Sequence, residues 1–288
     1  MSSFIEALYG HFFVRREGSD YKKKLTIKAN FLGRSKQILE SLAKMPNHFS
    51  NLTFDFVQKE DEAEVLQIFI EHAGNDSRKL KTNTLVMSNR FKDVENARYI
   101  AYQRHLIDKK VMEVIRENGG VSLGDIRTKI EDVEPWLRDG GELLFYPDCI
   151  RASDLGYAVS AIPSGLFAEE ACQLFKYLGD ANHLTKLTLP LGSFADSADQ
   201  WLPLYCELLW YFLEGLEISV NDHPDQSENQ IFFVTTPSYD LEFVQSELSG
   251  RWWVKKDDIY HPCSTSEYTD AANGNLSKRL YQLFEYSF

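Results

Sequence analysis

Basic residues are the scarce class in this sequence of 288 residues. Thirty-one Lys and Arg stand against 43 Asp and Glu, for a formal net charge of -12. Such a balance repels phosphate backbones and anionic lipid, so a nucleic-acid or membrane partner would need a local basic stripe. The tight basic run Lys22, Lys23 and Lys24 is flanked by Asp20 and has only Tyr21 beside it for stacking. It reads as a solvated turn, and neither nucleic acid nor membrane is an expected partner. Cysteine is also sparse: Cys149, Cys172, Cys206 and Cys263 lie far apart and form no paired motif. That excludes a disulfide framework and predicts reduced, mostly buried thiols. The longest uncharged stretch, 155–168, is interrupted by Gly156, Pro163 and Gly165 and is too short to cross a bilayer. The opening MSSFIEALYGHFF carries Glu6 and no basic segment, so no secretory signal is expected, and the cytoplasm is the expected compartment.

Several chemistries lack their signatures as well. There is no phosphate-cradling glycine loop, dinucleotide fingerprint or Ser-His-Asp motif. The 7 histidines, at positions 11, 48, 72, 105, 183, 223 and 261, show no i, i+4 pair that would place two ligands on one helix face. Asp222-His223-Pro224-Asp225 sits in a hydrophilic stretch and reads as a surface turn. His261-Pro262-Cys263 suggests a thiol with a base, but a packed cysteine is the default.

What is present is a regular alternation of apolar patterns. A helix is predicted over 35–45, ended by Pro46, and a strand over 52–57. Val65, Leu66, Phe69 and Ile70 fall on one face of a predicted helix over 61–72. Short strands follow at 84–87 and 98–102, a helix at 108–118 closed by Gly119-Gly120, a strand at 121–123 and a helix at 131–138. Further strands are predicted at 143–146, 184–189 and 231–235. Helices are predicted at 168–178 and 200–218, the second apolar almost all round. Strands alternating with helices predict an α/β protein with a mainly parallel sheet and helices on both faces. Ligands then belong beyond the carboxyl ends of the strands, after Tyr146, Leu189 and Thr235.

Three stretches carry a resemblance. The first is Ala101-Tyr102-Gln103 followed by Leu123-Gly124-Asp125-Ile126-Arg127. The second runs from Val133-Glu134-Pro135 through Leu143-Leu144-Phe145 and Ile150-Arg151-Ala152-Ser153-Asp154 to Gly165-Leu166 and Glu169-Glu170-Ala171-Cys172-Gln173. The third is Ser249-Gly250-Arg251-Trp252-Trp253 with Pro262-Cys263-Ser264. In order and spacing these resemble the formimidoylglutamase-like branch of the arginase (ureohydrolase) family, from Arg98 to Tyr268. The resemblance implies a single three-layer α/β/α domain of the arginase/deacetylase type. Its N-terminal part, 1–97, would be reduced, and 269–288 would be a C-terminal helical tail.

Members of that family hold two manganese ions in a Gly-Gly-Asp-His turn and two aspartate-rich strand ends. The first two motifs are absent here. The third falls on Leu144-Phe145-Tyr146-Pro147-Asp148, with Tyr146 where the first metal aspartate belongs and Asp148 alone remaining. Two dications about 3.5–4 Å apart need several carboxylates to offset their charge. A phenol, with a pKa of about 10, does not replace Asp at neutral pH.

The resemblance assigns Glu170 to the glutamate that grips a substrate amidinium, and Phe167 to a position the family fills with Thr. Glu169 and Glu170 also open a helix, where acids complement the dipole whatever else they do. Asp148 is the weak metal candidate, with Asp154 nearby, and loop capping is the alternative reading. His105, just after the 98–102 strand, is the histidine best placed for a pocket.

The expectation is a non-catalytic ureohydrolase-like binding or assembly protein without a cofactor. Its pocket would lie beyond Tyr146, lined by Asp148, Asp154, the 155–167 loop, Phe167 and Glu170, and would suit a small cationic ligand. The alternatives are a metal-dependent C–N hydrolase, with manganese or another metal in a rearranged site, and an oligomeric scaffold. A homo-oligomer is expected, with the 200–218 helix and Arg251-Trp252-Trp253 as candidate contacts; otherwise Arg251 pairs across a hairpin with 241–245 while a Trp seals the core.

Overall fold

The computed structural model describes residues 23–29, 34–45, 49, 52–58, 65–71, 83–155, 162–181, 183–190, 201–219, 222–225 and 228–285. In chain order the elements are β1 (Lys23–Ala29), α1 (Arg34–Leu42), β2 (Leu52–Gln58), β3 (Val65–Glu71), β4 (Thr84–Met87), β5 (Arg98–Tyr102), α2 (Lys109–Asn118), β6 (Gly120–Ser122), α3 (Leu123–Thr128), α4 (Glu134–Arg138) and β7 (Glu142–Phe145). They continue with α5 (Ala152–Leu155), α6 (Ala168–Gly179), β8 (Lys186–Pro190), α7 (Leu202–Ser219), β9 (Asn229–Thr235), β10 (Asp240–Ser246), β11 (Trp252–Lys256), β12 (Ile259–Cys263), α8 (Thr265–Ala272) and α9 (Lys278–Glu285).

Eight strands form one sheet in the order β2-β1-β3-β8-β7-β4-β5-β6. Every pairing is parallel except those of β3, which runs against both β1 and β8. The protein is thus an α/β fold on a mixed, mostly parallel sheet. Side-chain alternation sorts the central strands between two faces. Leu85, Met87, Ile100, Leu143 and Phe145 enter one core with the apolar faces of α1, α6 and α7. Val86, Tyr99 and Tyr102 enter a second, smaller core with Ile115 of α2. Helices cover both faces, but unequally.

On the thicker face α6 and α7 touch backbone to backbone. A Cβ on Gly179 would sit 2.1 Å from the Phe212 carbonyl oxygen, and one on Gly215 would sit 2.0 Å from that of Lys176. Glycine at both crossings lets two apolar helices close on each other. Leu204, Tyr205, Leu208, Leu209, Phe212, Leu213 and Leu216 of α7 are buried there, so most of the helix expected to offer subunit contacts is occupied within the chain.

Three expectations about the strands are corrected. The segment expected to be helical over 61–72 contains β3, with residues 61–64 and 72 outside the described residues. Ile68 and Ile70 are buried and Gln67 and Phe69 only partly so, which is period two. The helical pattern of Val65, Leu66, Phe69 and Ile70 loses to pairing on both sides with β1 and β8, in a run rich in β-branched and aromatic residues. Lys23 and Lys24 open a strand rather than a turn, and Lys24 Nζ stands 3.3 Å from Asp55 across the β1–β2 pair; Lys22 is outside the described residues. The strand around Thr235 belongs to another sheet, so its end is no part of the parallel edge.

That other sheet is an antiparallel meander, β9-β10-β11-β12, with α8 and α9 over one face. Its core gathers Leu241, Phe243, Trp252, Val254 and Cys263 with Ala271 and Leu280 of the two helices. Trp252 stacks on Tyr268 with ring centroids 4.1 Å apart. Asp257 and Asp258, with φ of 50° and 60°, make the two-residue turn between β11 and β12. Glu267 accepts from the Ser264 N–H at 3.0 Å and from Arg279 Nε at 2.9 Å, which ties α8 to α9. Burial would raise the Glu267 carboxyl, but the Arg279 guanidinium and these hydrogen bonds outweigh it and hold it low.

A buried ionic cluster joins the meander to the larger sheet. Arg138 Nε lies 2.6 Å from Glu134, its guanidinium covers the Trp253 ring at 4.4 Å, and Nη2 donates to the Trp252 carbonyl at 2.8 Å. Arg251 Nη1 lies 2.7 Å from Asp180 and 3.4 Å from Asp222, and Nε lies 3.6 Å from Glu134. The β10–β11 hairpin forms as expected, but Arg251 pairs across the two sheets rather than within the hairpin. Asp222, read as part of a surface turn, is instead buried and accepts from Ser246. Burial drives the Asp180 carboxyl up to about 7; Arg251 and Arg138 oppose the rise while Glu134 and Asp222 add to it.

Two predictions follow from this packing. Gly215→Ala should lower stability in chemical denaturation by about 1–3 kcal/mol through overpacking. Gly124→Ala should be neutral or raise it, because the neighbour nearest its added Cβ is Ser122 Oγ at 3.7 Å. Asp180 keeps its proton longer folded than unfolded, so its contribution is complete below the unfolded value and is lost as pH rises through about 7. Asp180→Asn should therefore flatten the decline in stability between acidic and mildly alkaline pH, read from melts across that window. An unchanged slope would show that Asp180 is ionised throughout.

Candidate functional site

The order of the larger sheet reverses between β4 and β7: β5 and β6 follow on one side, β7 and β8 on the other. The crevice beyond the carboxyl ends of β4 and β7 is where an open α/β sheet can receive a ligand. Asp148 sits there, in a short 3-10 turn over Pro147–Cys149 just after β7. Its Oδ1 accepts from the Ser88 hydroxyl at 2.9 Å and the Asn89 N–H at 3.2 Å, both just past β4. Its Oδ2 accepts from Lys92 Nζ at 2.9 Å. The same ammonium stands 4.4 Å from the Tyr146 ring centroid. Asp148 therefore fastens two strand ends together, and a cation of the chain already neutralises it. Beside it the Asn89 side-chain amide is 1% exposed and has no hydrogen-bond partner among the described residues.

Asp154 and Glu170 are engaged in the same manner. Asp154 accepts from Arg151 Nε at 2.5 Å and from the Ala168 N–H at 2.9 Å, holding the first turn of α6. Burial works to raise its carboxyl, but Arg151, the Ala168 amide and the Ser153 hydroxyl together bring it below its ordinary value. Glu170 accepts from the Phe167 N–H at 2.8 Å, and its other oxygen lies 3.6 Å from Arg127 Nε. Phe167 lies under two guanidinium groups, with Arg127 4.6 Å and Arg151 4.3 Å from its ring centroid. Asp154, Phe167 and Glu170 are thus brought together as two ion pairs around one ring. Asp148 belongs to the β4–β7 crevice.

A cleft of about 520 Å³ opens one step along the same edge, past β5 and β6. Its lining includes Gln103, Arg104, His105, Ser122, Asp125 and Arg127, with Ser164 from the segment before α6. Of the site residues expected from sequence, His105 alone lines it. A backbone irregularity shapes its floor. Ala101 is buried with φ 66°, and the β5–β6 register shifts between Ile100 and Tyr102. Such a bulge re-aims the residues that follow it. Gln103 is then locked by two hydrogen bonds with Ser164: Gln103 Nε2 donates to its carbonyl at 2.8 Å, and its hydroxyl donates to Gln103 Oε1 at 2.7 Å.

Ser122, Asp125, Arg104 and Arg127 in the cleft are each held by a neighbour. The Ser122 hydroxyl donates to Asp125 at 2.6 Å within the capping box of α3. Arg104 makes two contacts of 3.1 Å with Asp125. Arg127 donates to the Gly165 carbonyl at 2.6 Å while it faces Glu170. Arg104, Gln103, Arg127 and Ser164 were not chosen from sequence as site residues. For Gln103 and Arg127 the signal available was their place in the resemblance stretches, Ala101-Tyr102-Gln103 and Leu123 to Arg127; Arg104 lies just outside them, and Ser164 lies within the 155–167 loop expected to line a pocket.

All four cysteines are unpaired and buried, in agreement with the sequence. Burial pushes the Cys172 thiol up to about 12 and that of Cys206 to about 11, and it also raises Cys149 and Cys263. His261 stands two residues before Cys263 in β12 and is driven below its ordinary value by its own burial. None of these thiols is poised as a thiolate. Among the described residues no group of three or more His, Cys, Asp or Glu side chains could hold a metal ion. No described helix is long and apolar enough to cross a membrane.

A scan against protein-family models and a search of curated proteins find no match to this sequence. Among solved structures, the chain is similar to Trypanosoma cruzi formiminoglutamase with Mn2+ at a TM-score of 0.40 and 14% identity, over 47% of this chain and 57% of that one. It is similar to Bacillus subtilis formimidoylglutamase at a TM-score of 0.39 and 13% identity, over 48% of this chain and 54% of the other. The chain therefore spans little more than half the length of either structure.

Proposed function

We propose that this chain is a non-catalytic binding protein that takes a small molecule bearing a carboxylate in the cleft beyond β5 and β6. One observation carries the reading. The acids that would serve a dinuclear metal centre or grip a cationic substrate are each engaged by a cation of the chain: Asp148 by Lys92, Asp154 by Arg151 and Glu170 by Arg127. Both oxygens of Asp148 already accept hydrogen bonds, so a manganese pair does not fit these donors. An amidinium ligand at Glu170 would have to displace Arg127, itself a guanidinium.

The adjoining cleft is charged the other way. Its lining holds Arg104 and Arg127 against Asp125. Guanidinium groups recognise carboxylates through paired, charge-assisted hydrogen bonds. Arg127, 39% exposed, can turn one edge to a ligand while its Gly165 contact holds the other.

Titration calorimetry separates the possibilities. Glutamate or formimidoylglutamate should give heat, agmatine (a cation without a carboxylate) should give none, and Arg127→Gln should weaken binding at least about tenfold, as expected for loss of a charged hydrogen bond. Elemental analysis of protein purified without chelator should find no stoichiometric metal. Two manganese ions per chain with hydrolysis of formimidoylglutamate would overturn the proposal, as would heat from agmatine alone.

A further inference from the structure

We infer that β9 is the contact edge of a two-fold dimer, in which the meanders of two copies join antiparallel into one eight-stranded sheet. Among the described residues β9 pairs only with β10, and its other side is an edge that no described strand covers. Sheet edges in soluble proteins are usually guarded by charge, proline or a bulge. This edge has none of the three. Asn229–Thr235 reads NQIFFVT, and its seven pairs with β10 run without a register break. Phe233 is 80% exposed and Ile231 56%, although their neighbours Phe232 and Val234 pack into the meander core.

The occupant that fits is a second copy of this chain. Its formal net charge is -12, so two copies repel over most of their surface, and a strand without charge is where they can approach. An acidic or basic peptide would find no partner charge along it. The sequence is also complementary to itself. With Phe232 opposite Phe232 of the second copy, Ile231 falls opposite Phe233 and Phe233 opposite Ile231. Directly opposed residues of an antiparallel pair share a face, so the four exposed apolar side chains meet in one cluster. The same register sets Glu228 opposite Thr236 and brings no two like charges face to face. Glu242, beside Phe233 within the meander, is within 3.9 Å of Lys255.

One strand edge buries less than the roughly 1,200 Å² typical of stable interfaces, so the dimer should exchange with monomer in the micromolar range. Sedimentation equilibrium of the full chain over a micromolar concentration series should show the mass rising towards twice the monomer. Phe233→Lys and Ile231→Lys should each remain monomeric, with circular dichroism and melting unchanged because both side chains are exposed. Val114→Lys, at an exposed apolar position on α2, should dimerise like the parent. A parent that stays monomeric throughout, or lysine variants that dimerise as it does, would overturn the inference. Oxidation reports the register, since the native thiols are buried. A mixture of Ile231→Cys and Phe233→Cys proteins should give more disulfide-linked dimer than either alone, and equal yields would refute this pairing.

Discussion

The buried carboxylates among the described residues are matched by basic side chains, and the matching governs both the architecture and what the sites can do. A carboxylate removed from water needs a compensating charge or several donors. Arg138 and Arg251 supply that for Glu134, Asp180 and Asp222 where the two sheets meet. Arg279 does so for Glu267 under the meander, and Lys92, Arg151 and Arg127 do so along the edge of the larger sheet. These groups take up acids and bases in nearly equal number, so almost the whole excess of 43 Asp and Glu over 31 Lys and Arg stays outside them. The inter-sheet cluster has three acids for two guanidinium groups, and Asp180 is the one whose carboxyl rises towards neutrality.

Legibility from sequence followed the range of the interactions involved. The central strands rest on local alternation and emerged within a residue or two of the reading, whereas α3 was not expected and the helix expected over 131–138 is a 3-10 turn before α4 begins at Glu134. β3 did not, because Val65 to Ile70 satisfies a helical stripe as well as an alternating one. Only its pairing with two distant strands decides between them. Asp222 shows the same effect in a loop. In DHPD the residues look hydrophilic, yet Arg251, far along the chain, draws the first of them inside.

The candidate site divides along the same line. That Asp148, Asp154, Phe167 and Glu170 lie beyond the strand ends could be read from their places after β7 and at the start of α6. The engagement of Asp148 and Glu170 could not, because Lys92 and Arg127 are remote in sequence from the acids they pair with; Asp154 pairs with Arg151, three residues before it. The cleft itself was invisible for a further reason. It depends on Ala101 taking a left-handed conformation, and an alanine does not announce one, since a side chain disfavours it.

That bulge and the closed crevice are two consequences of one arrangement. The Ser88 N–H reaches the Ile100 carbonyl, and the Gln103 N–H reaches the Asn89 carbonyl. The chain leaving β4 is therefore stitched to β5 on one side, while its Ser88 hydroxyl and Asn89 amide hold Asp148 beyond β7 on the other. Pulling these strand ends together fills the crevice at the reversal of strand order, where α/β sheets ordinarily bind. The irregularity at Ala101 lies within the same stitched segment, and just past it Gln103 is bonded to Ser164. The open space lies one strand along, where Arg104, Arg127 and Asp125 line it, while the crevice at the reversal is closed by Asp148 and Lys92.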